Sequence, residues 1–168
     1  MLKLNTERLC ILPLDRYNLE LCINDYNKME RNLGLSITDK NIGVREKNVY
    51  RIRLNDVENN PISYRWYTTW IIVLKRENRS VGAIMIKGYP NKDGEVIIGY
   101  AMQDDYKRKG YMVEALNCIV QWIFLNSDVR IVLADTVKNN IPSHKVLRKI
   151  GMVVYKEDEE CFWWKLER

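Results

Sequence analysis

The chain is poor in the residues that make reactive or metal-binding sites: it has one histidine and four cysteines in 168 residues. Cys10, Cys22, Cys118 and Cys161 are widely spaced, with no C-x-x-C pair. A zinc site or a Cys–His nucleophile therefore has almost nothing to draw on, and no metal is expected. Cys22 and Cys118 fall on apolar faces of predicted helices, where cysteine acts as a small hydrophobe. Residues 1–8 lack the apolar core of a secretory signal. The densest apolar run, Trp70 to Leu74, is far too short to span a bilayer, so no membrane partner is expected and the cytoplasm is the default location. No repeat, low-complexity tract or Pro/Gly-rich linker divides the chain, and residues 1–168 are expected to form a single domain.

What is present is ordinary for a globular protein: 46% hydrophobic and 29% charged residues,. A chain of this size buries about 70% of its unfolded surface, enough for a core without staples. The net charge of +5 fits either plain solubility or an anionic ligand.

Leu9 to Leu14 reads as a first strand. Asp15 caps a predicted helix with Leu19, Cys22, Ile23, Tyr26 and Met29 at helical spacing and Gly34 near its end. A helix through Glu46 to Leu54 follows, broken by Asn59-Asn60-Pro61. The aromatic segment Tyr64 to Trp70 suits core packing or one wall of a substrate groove. Trp70–Leu74, Val81–Ile86 and Glu95–Met102 read as strands joined by polar turns. After a helix carrying Met112, Leu116, Ile119 and Ile123 on one face come a strand at Val129–Ala134, a short helix at Pro142–Ile150, and a hairpin of Met152–Tyr155 with Cys161–Leu166. The order predicts an α+β, mixed three-layer α/β/α arrangement rather than a doubly wound sheet.

The stretch Glu95 to Leu116 is the most informative. A strand runs into a loop with three cations, Lys107, Arg108 and Lys109, then Gly110, then a helix start at Tyr111 and Met112. A helix start offers unpaired N–H groups and partial positive charge, which together hold phosphate oxygens. Glycine lets the backbone turn and approach a ligand without a Cβ in the way. This unit suits a phosphorylated cofactor.

Three segments together resemble the GNAT acetyltransferase superfamily, in particular its RimJ/RimL branch. Leu4-Asn-Thr-Glu-Arg-Leu-Cys-Ile-Leu-Pro-Leu14 is similar to the opening "L-x-T-x-R-L-x-L-x-x-L". Ile98-Gly-Tyr100 with Tyr106 to Tyr111 and Glu114-Ala115 resembles the acetyl-CoA signature. Asn140-Ile-Pro-Ser143 with Leu147 to Met152 resembles the segment "N-x-x-S…L-x-K-x-G-F/M". The resemblance implies a central mixed, mostly antiparallel sheet with flanking helices and two splayed parallel strands, here Glu95–Met102 and Val129–Asp135. It implies acetyl-CoA as co-substrate in the cleft between them. Backbone near Ala101 and Met102 would pair with the pantetheine arm, Lys107 to Met112 would cradle the pyrophosphate, and Asn140 would touch the cofactor from the other side.

The sequence departs from the pattern at several places. Arg108 stands where many relatives carry a second glycine, and Met112 replaces a small residue that lies near the phosphates. Leu147 stands where many members have a tyrosine that protonates the leaving thiolate; in the RimJ/RimL branch a serine matching Ser143 is suggested for that role. The other reading of Ser143 is a hydroxyl bonded to helix backbone. Ile97 occupies the usual position of a glutamate base, leaving Glu95, two residues earlier on the same strand face, as candidate base or as a turn-flanking surface carboxylate. Glu160 is a weaker candidate, and His144 is expected to face solvent. The oxyanion donor implied is a backbone N–H near Ala101 or Met102, with Met102 chosen.

Deprotonating a lysine amine of pKa ~10.4 at pH 7 costs about 4.6 kcal/mol, against about 1.1 kcal/mol for an α-amine near ~7.8. A site without an evident base suits the second. The reading is thus an N-acetyltransferase acting on a primary amine, either a protein N-terminus or a small molecule. The alternative is a catalytically idle acyl-CoA-binding relative. A nucleic-acid partner is disfavoured, because 22 acidic residues are interspersed with the cations and no binding motif is present,. Oligomeric state is not readable from the sequence.

Overall fold

A computed structural model describes residues 2–168. Its frame is an eight-stranded sheet of β1 (Leu4–Asn5), β2 (Leu9–Pro13), β3 (Thr69–Leu74), β4 (Arg79–Ile86), β5 (Glu95–Met102), β6 (Ile131–Val137), β7 (Val153–Glu157) and β8 (Cys161–Glu167). The spatial order is β1-β2-β3-β4-β5-β6-β8-β7. The β5–β6 pair is parallel and the other neighbours are antiparallel.

Helices α1 (Arg16–Asn24), α2 (Tyr26–Asn32) and α3 (Val44–Asn59) belong to one apolar core, and α4 (Tyr111–Phe124) and α5 (Ile141–Lys149) to another. Side-chain alternation along β3 explains the division. Trp70, Ile72 and Leu74 join Leu116, Ile119 and Ile123 of α4. Ile71 and Val73 join Leu19, Cys22, Met29, Tyr50 and Val57. With both faces covered, every residue of β3 is buried, which explains its continuous apolar run,. The expected three-layer α+β arrangement is what the chain forms.

Two local expectations are corrected. The single helix expected from Asp15 towards Gly34 is two helices. Asp25 breaks it: its backbone is extended (φ −155°), and its carboxylate accepts from Lys28 N at 2.9 Å to cap α2,. His144 does not face solvent; it is 3% exposed, its ring packs against Phe162 and Trp164, and its Nε2 lies 3.1 Å from Val137 O. In the aromatic segment, packing wins for the tryptophans. Trp66 and Trp70 each lie 4.9 Å, centroid to centroid, from Trp122 of α4. Among the described residues, no helix is long and apolar enough to cross a membrane.

Candidate active site

The parallel pairing of β5 and β6 runs only from Glu95↔Ile131 to Ile97↔Leu133. Beyond it β5 continues to Met102 and β6 to Val137 without pairing to each other. This leaves a wedge-shaped gap in the middle of the sheet. Two bonds fix which backbone groups of β5 face it. Lys87 N donates to Ile97 O (2.9 Å) and Gln103 N donates to Val81 O (2.9 Å), so the odd-numbered residues of β5 bond to the β4 side. The register between them is unbroken. By strand alternation the N–H and C=O groups of Tyr100 and Met102 point into the gap. Those of Ala101 point towards β4, so Ala101 is not a backbone partner at this edge.

The cationic loop lies between the end of β5 and α4. Gly110 takes the left-handed conformation (φ +80°) as N-cap of α4 and offers no side-chain bond to the first-turn amides. Tyr111 and Met112 start the helix with buried side chains. Met112 belongs to the core under the sheet, so its side chain does not crowd the loop. Lys107 pairs with Asp104 (2.6 Å) and holds that carboxyl below its usual range. Lys109 lies over the Tyr106 ring (5.4 Å). Arg108 is exposed and also left-handed (φ +61°), a conformation that disfavours any residue with a Cβ. The glycine usual at this position in the resembled pattern is thus explained by backbone geometry.

Thr6, Arg8 and Glu114 belong to the resembled motifs, which imply no site role for them. They form a clamp on this loop. Glu114 accepts from Thr6 Oγ1 (2.5 Å), Arg8 N (2.9 Å) and Arg8 Nε (2.6 Å). Arg8 Nη1 also donates to Lys109 O (3.1 Å), and its guanidinium sits 4.6 Å from the Tyr111 ring centre. Burial alone would raise the Glu114 pKa, but the bonds from Thr6 and Arg8 outweigh it and hold the carboxyl below its ordinary value. The signal available was that T-x-R and G-Y-x-x-E-A appear in one chain.

Across the gap, Asn140 caps α5, its Oδ1 accepting from Ser143 N at 3.3 Å. Ser143 O accepts from Tyr100 Oη (3.2 Å), tying β5 to α5. Burial pushes the Tyr100 phenol up to about 12, against the bond to Ser143. The Ser143 hydroxyl itself makes no hydrogen bond to a described residue, so the backbone-bonded reading of that side chain does not hold. Leu147 is fully buried.

Glu95 is not part of this constellation. It lies at the paired end of β5 opposite Ile131, where its Oε2 accepts from Asn91 Nδ2 at 2.9 Å. It and Met102 are the two ends of the eight-residue strand β5, about 23 Å apart along it,. The turn-flanking reading is the one its surroundings support. Glu160 N donates to Asp158 Oδ1 (3.0 Å) in the β7–β8 turn. Among the described residues, no group of three or more His, Cys, Asp or Glu side chains is placed to hold a metal ion.

A chamber of about 420 Å³ opens beside the gap, lined by Tyr26, Lys40, Glu46, Tyr50, Thr69 and Ser80 and by Ala101 and Met102 at the end of β5. These residues come from helices and strands far apart in sequence.

Comparison with known proteins agrees with this geometry. The family model described as "Acetyltransferase (GNAT) domain" matches residues 23–153. A protein of Bacillus subtilis (strain 168) named as an uncharacterized N-acetyltransferase, YjdG, is 32% identical over 98 residues. That match spans 58% of this chain and 58% of the relative, so the chain covers little more than half the length of that curated relative. Among solved structures, the ribosomal-protein-S5-alanine acetyltransferase from Vibrio fischeri superimposes with a TM-score of 0.73 at 17% identity, covering 99% of this chain and 97% of that one. RimL, the ribosomal L7/L12 alpha-N-protein acetyltransferase in complex with coenzyme A, gives 0.71 at 11% identity, with 99% and 98% covered. At these identities the structures establish a shared fold.

Proposed function

Because the chain belongs to the GNAT acetyltransferase family, we propose that it transfers an acetyl group from acetyl-CoA directly to a primary amine, residues 1–168 acting as one catalytic domain. The observation that carries this reading is the gap past Ile97 and Leu133, where the backbone of Tyr100 and Met102 is unpaired towards β6, with the loop that follows β5 leading into a start of α4 that no side chain caps. An extended pantetheine arm would complete the sheet at that edge. Its pyrophosphate would meet the first-turn amides of α4 and the Lys107–Lys109 cations. The nucleotide-bearing coenzyme bound by RimL is of this chemistry.

The amine nitrogen forms a bond to the thioester carbonyl carbon while the C–S bond breaks. The N–H of Met102, aimed into the gap, would donate to the developing oxyanion. The thiolate needs a proton, which the Ser143 hydroxyl at the start of α5 would supply, and the proton shed by the attacking nitrogen would pass through water and restore the hydroxyl. The amide side chain of Asn140 keeps its N–H₂ for the cofactor, because its oxygen is used in capping. Glu95 lies at the paired end of β5, and the carboxylates near its open end, Glu46 and Asp104, are each paired with a lysine, which favours an α-amine or another amine of low pKa,.

The test is release of the CoA thiol from acetyl-CoA over a panel of amines. Amine-dependent release that falls at least tenfold in Ser143→Ala supports the assignment, on the scale of a positioned proton donor at about 10²–10⁴-fold. Tight acetyl-CoA binding with no release for any primary amine would instead describe an idle binder. The Met112 side chain is in the core and gives no support to that outcome.

A further inference from the structure

The chamber beside the gap has an unusual lining. Thr69 is 2% exposed, and its Oγ1 is buried without a hydrogen bond to any described residue. Native interiors rarely leave a hydroxyl in that state. Thr69 is nevertheless placed on the chamber wall, with Ser80 on the neighbouring strand β4. Ser80 Oγ lies 3.2 Å from Tyr26 Oη, and Tyr50 adds a further buried phenol to the lining. Burial raises the pKa of both tyrosines, so these groups act as neutral donors and acceptors.

The charged groups of the chamber are already matched. Lys40 Nζ is 2.5 Å from Glu46 Oε1, and Asp104 Oδ1 is 2.6 Å from Lys107 Nζ. Neither carboxylate is left over for a second ammonium group, and Lys40 is not free for a phosphate or carboxylate. Val49, Ala83 and Met85 complete the wall with apolar surface.

We infer that the acceptor is a neutral-bodied monoamine bearing a hydroxyl or amide that pairs with Thr69 in this chamber, and not a polyamine or an anionic amine. This rests on the acetyl-transfer reading and deepens it. Thr69 is then a specificity-determining residue, supplying a hydroxyl of the chamber wall that the protein leaves unpaired. The shared chemistry occurs in 2-amino alcohols and in the first residue of a peptide, and the assay separates these two sources.

Thiol release is measured at saturating acetyl-CoA with ethanolamine, serinamide, a Ser-Ala-Ala peptide, propylamine, phosphoethanolamine and spermidine. The expected result is a KM for the best hydroxylated or amide-bearing amine about tenfold below those for propylamine, phosphoethanolamine and spermidine, the scale of one net hydrogen bond. In Thr69→Val that KM rises about tenfold, while the KM for propylamine and for acetyl-CoA stays within about twofold. The free Thr69→Val protein melts at the same temperature as wild type or about 2–4 °C higher, because the isostere removes an unpaired hydroxyl. Thr69→Ser, which keeps the hydroxyl, retains the wild-type preference. Spermidine or phosphoethanolamine as best acceptor, or unchanged preference in Thr69→Val, overturns the assignment while leaving acetyl transfer standing. Failure of acetyl-CoA to raise the melting temperature of wild type marks the separate failure of the transfer reading, and the assignment falls with it.

Discussion

Replacing Glu114 by alanine tests whether the clamp from the N-terminal segment holds the cationic loop before α4. The carboxylate accepts bonds from Thr6 Oγ1, Arg8 N and Arg8 Nε at 2.5–2.9 Å. A hydrogen bond to a charged group contributes about 1.5–3 kcal/mol when shielded, and a fully exposed ion pair about 0–1 kcal/mol. Here the Glu114 side chain is 19% exposed and that of Arg8 43%, so the pair lies between these limits. A coupling of about 1–2 kcal/mol between the two side chains follows from that interpolation. Glu114→Ala alone also strands the Arg8 N–H and should cost about 2–3 kcal/mol. The assay is urea unfolding of wild type, Arg8→Ala, Glu114→Ala and the double variant, analysed as a thermodynamic cycle. The pH dependence has a definite sign. The folded pKa of Glu114 lies below its ordinary value of 4.5. The stabilisation is therefore complete above that value and is lost as pH falls through the folded pKa. A coupling below about 0.3 kcal/mol at pH 7, within the additivity of independent sites, would refute the clamp.

Three further outcomes are expected. Arg108 occupies the left-handed region at φ +61°, so Arg108→Gly should be more stable than Arg108→Ala by about 1 kcal/mol, or roughly 2–4 °C in melting temperature; equal stabilities would contradict the strain. Met112 is buried in the core beneath α4, so Met112→Ala should lose about 2–4 kcal/mol of stability without tightening acetyl-CoA binding, read by urea unfolding and calorimetry. Glu95→Gln should leave kcat within about twofold, because the residue lies about 23 Å along the strand from Met102; a loss of a hundredfold or more would restore it as a base.

The strands were readable because their β-branched runs are long and bounded by turn residues. The helix break at Asp25 was not, since Leu19, Cys22, Ile23, Tyr26 and Met29 keep one helical phase across it. The extended backbone of Asp25 and its capping bond to Lys28 reveal the interruption. His144 looked exposed among charged neighbours. Its burial depends on Phe162 and Trp164, which arrive from the last strand. The cationic loop was legible as a local pattern of glycine and cations on a helix start. The direction of the β5 backbone was not, because odd and even residues exchange roles only once the register with β4 is known. The chamber was least legible, as Tyr26, Thr69 and Ser80 meet only in the folded chain.

The most direct test of the account is the melting temperature of the protein with and without acetyl-CoA. Ligand at 100 times its dissociation constant adds about 2.7 kcal/mol of stability. For a domain of this size that is a rise of roughly 5–10 °C, and the account predicts it for acetyl-CoA and for CoA. No rise at millimolar acetyl-CoA would contradict a cofactor cleft between β5 and β6.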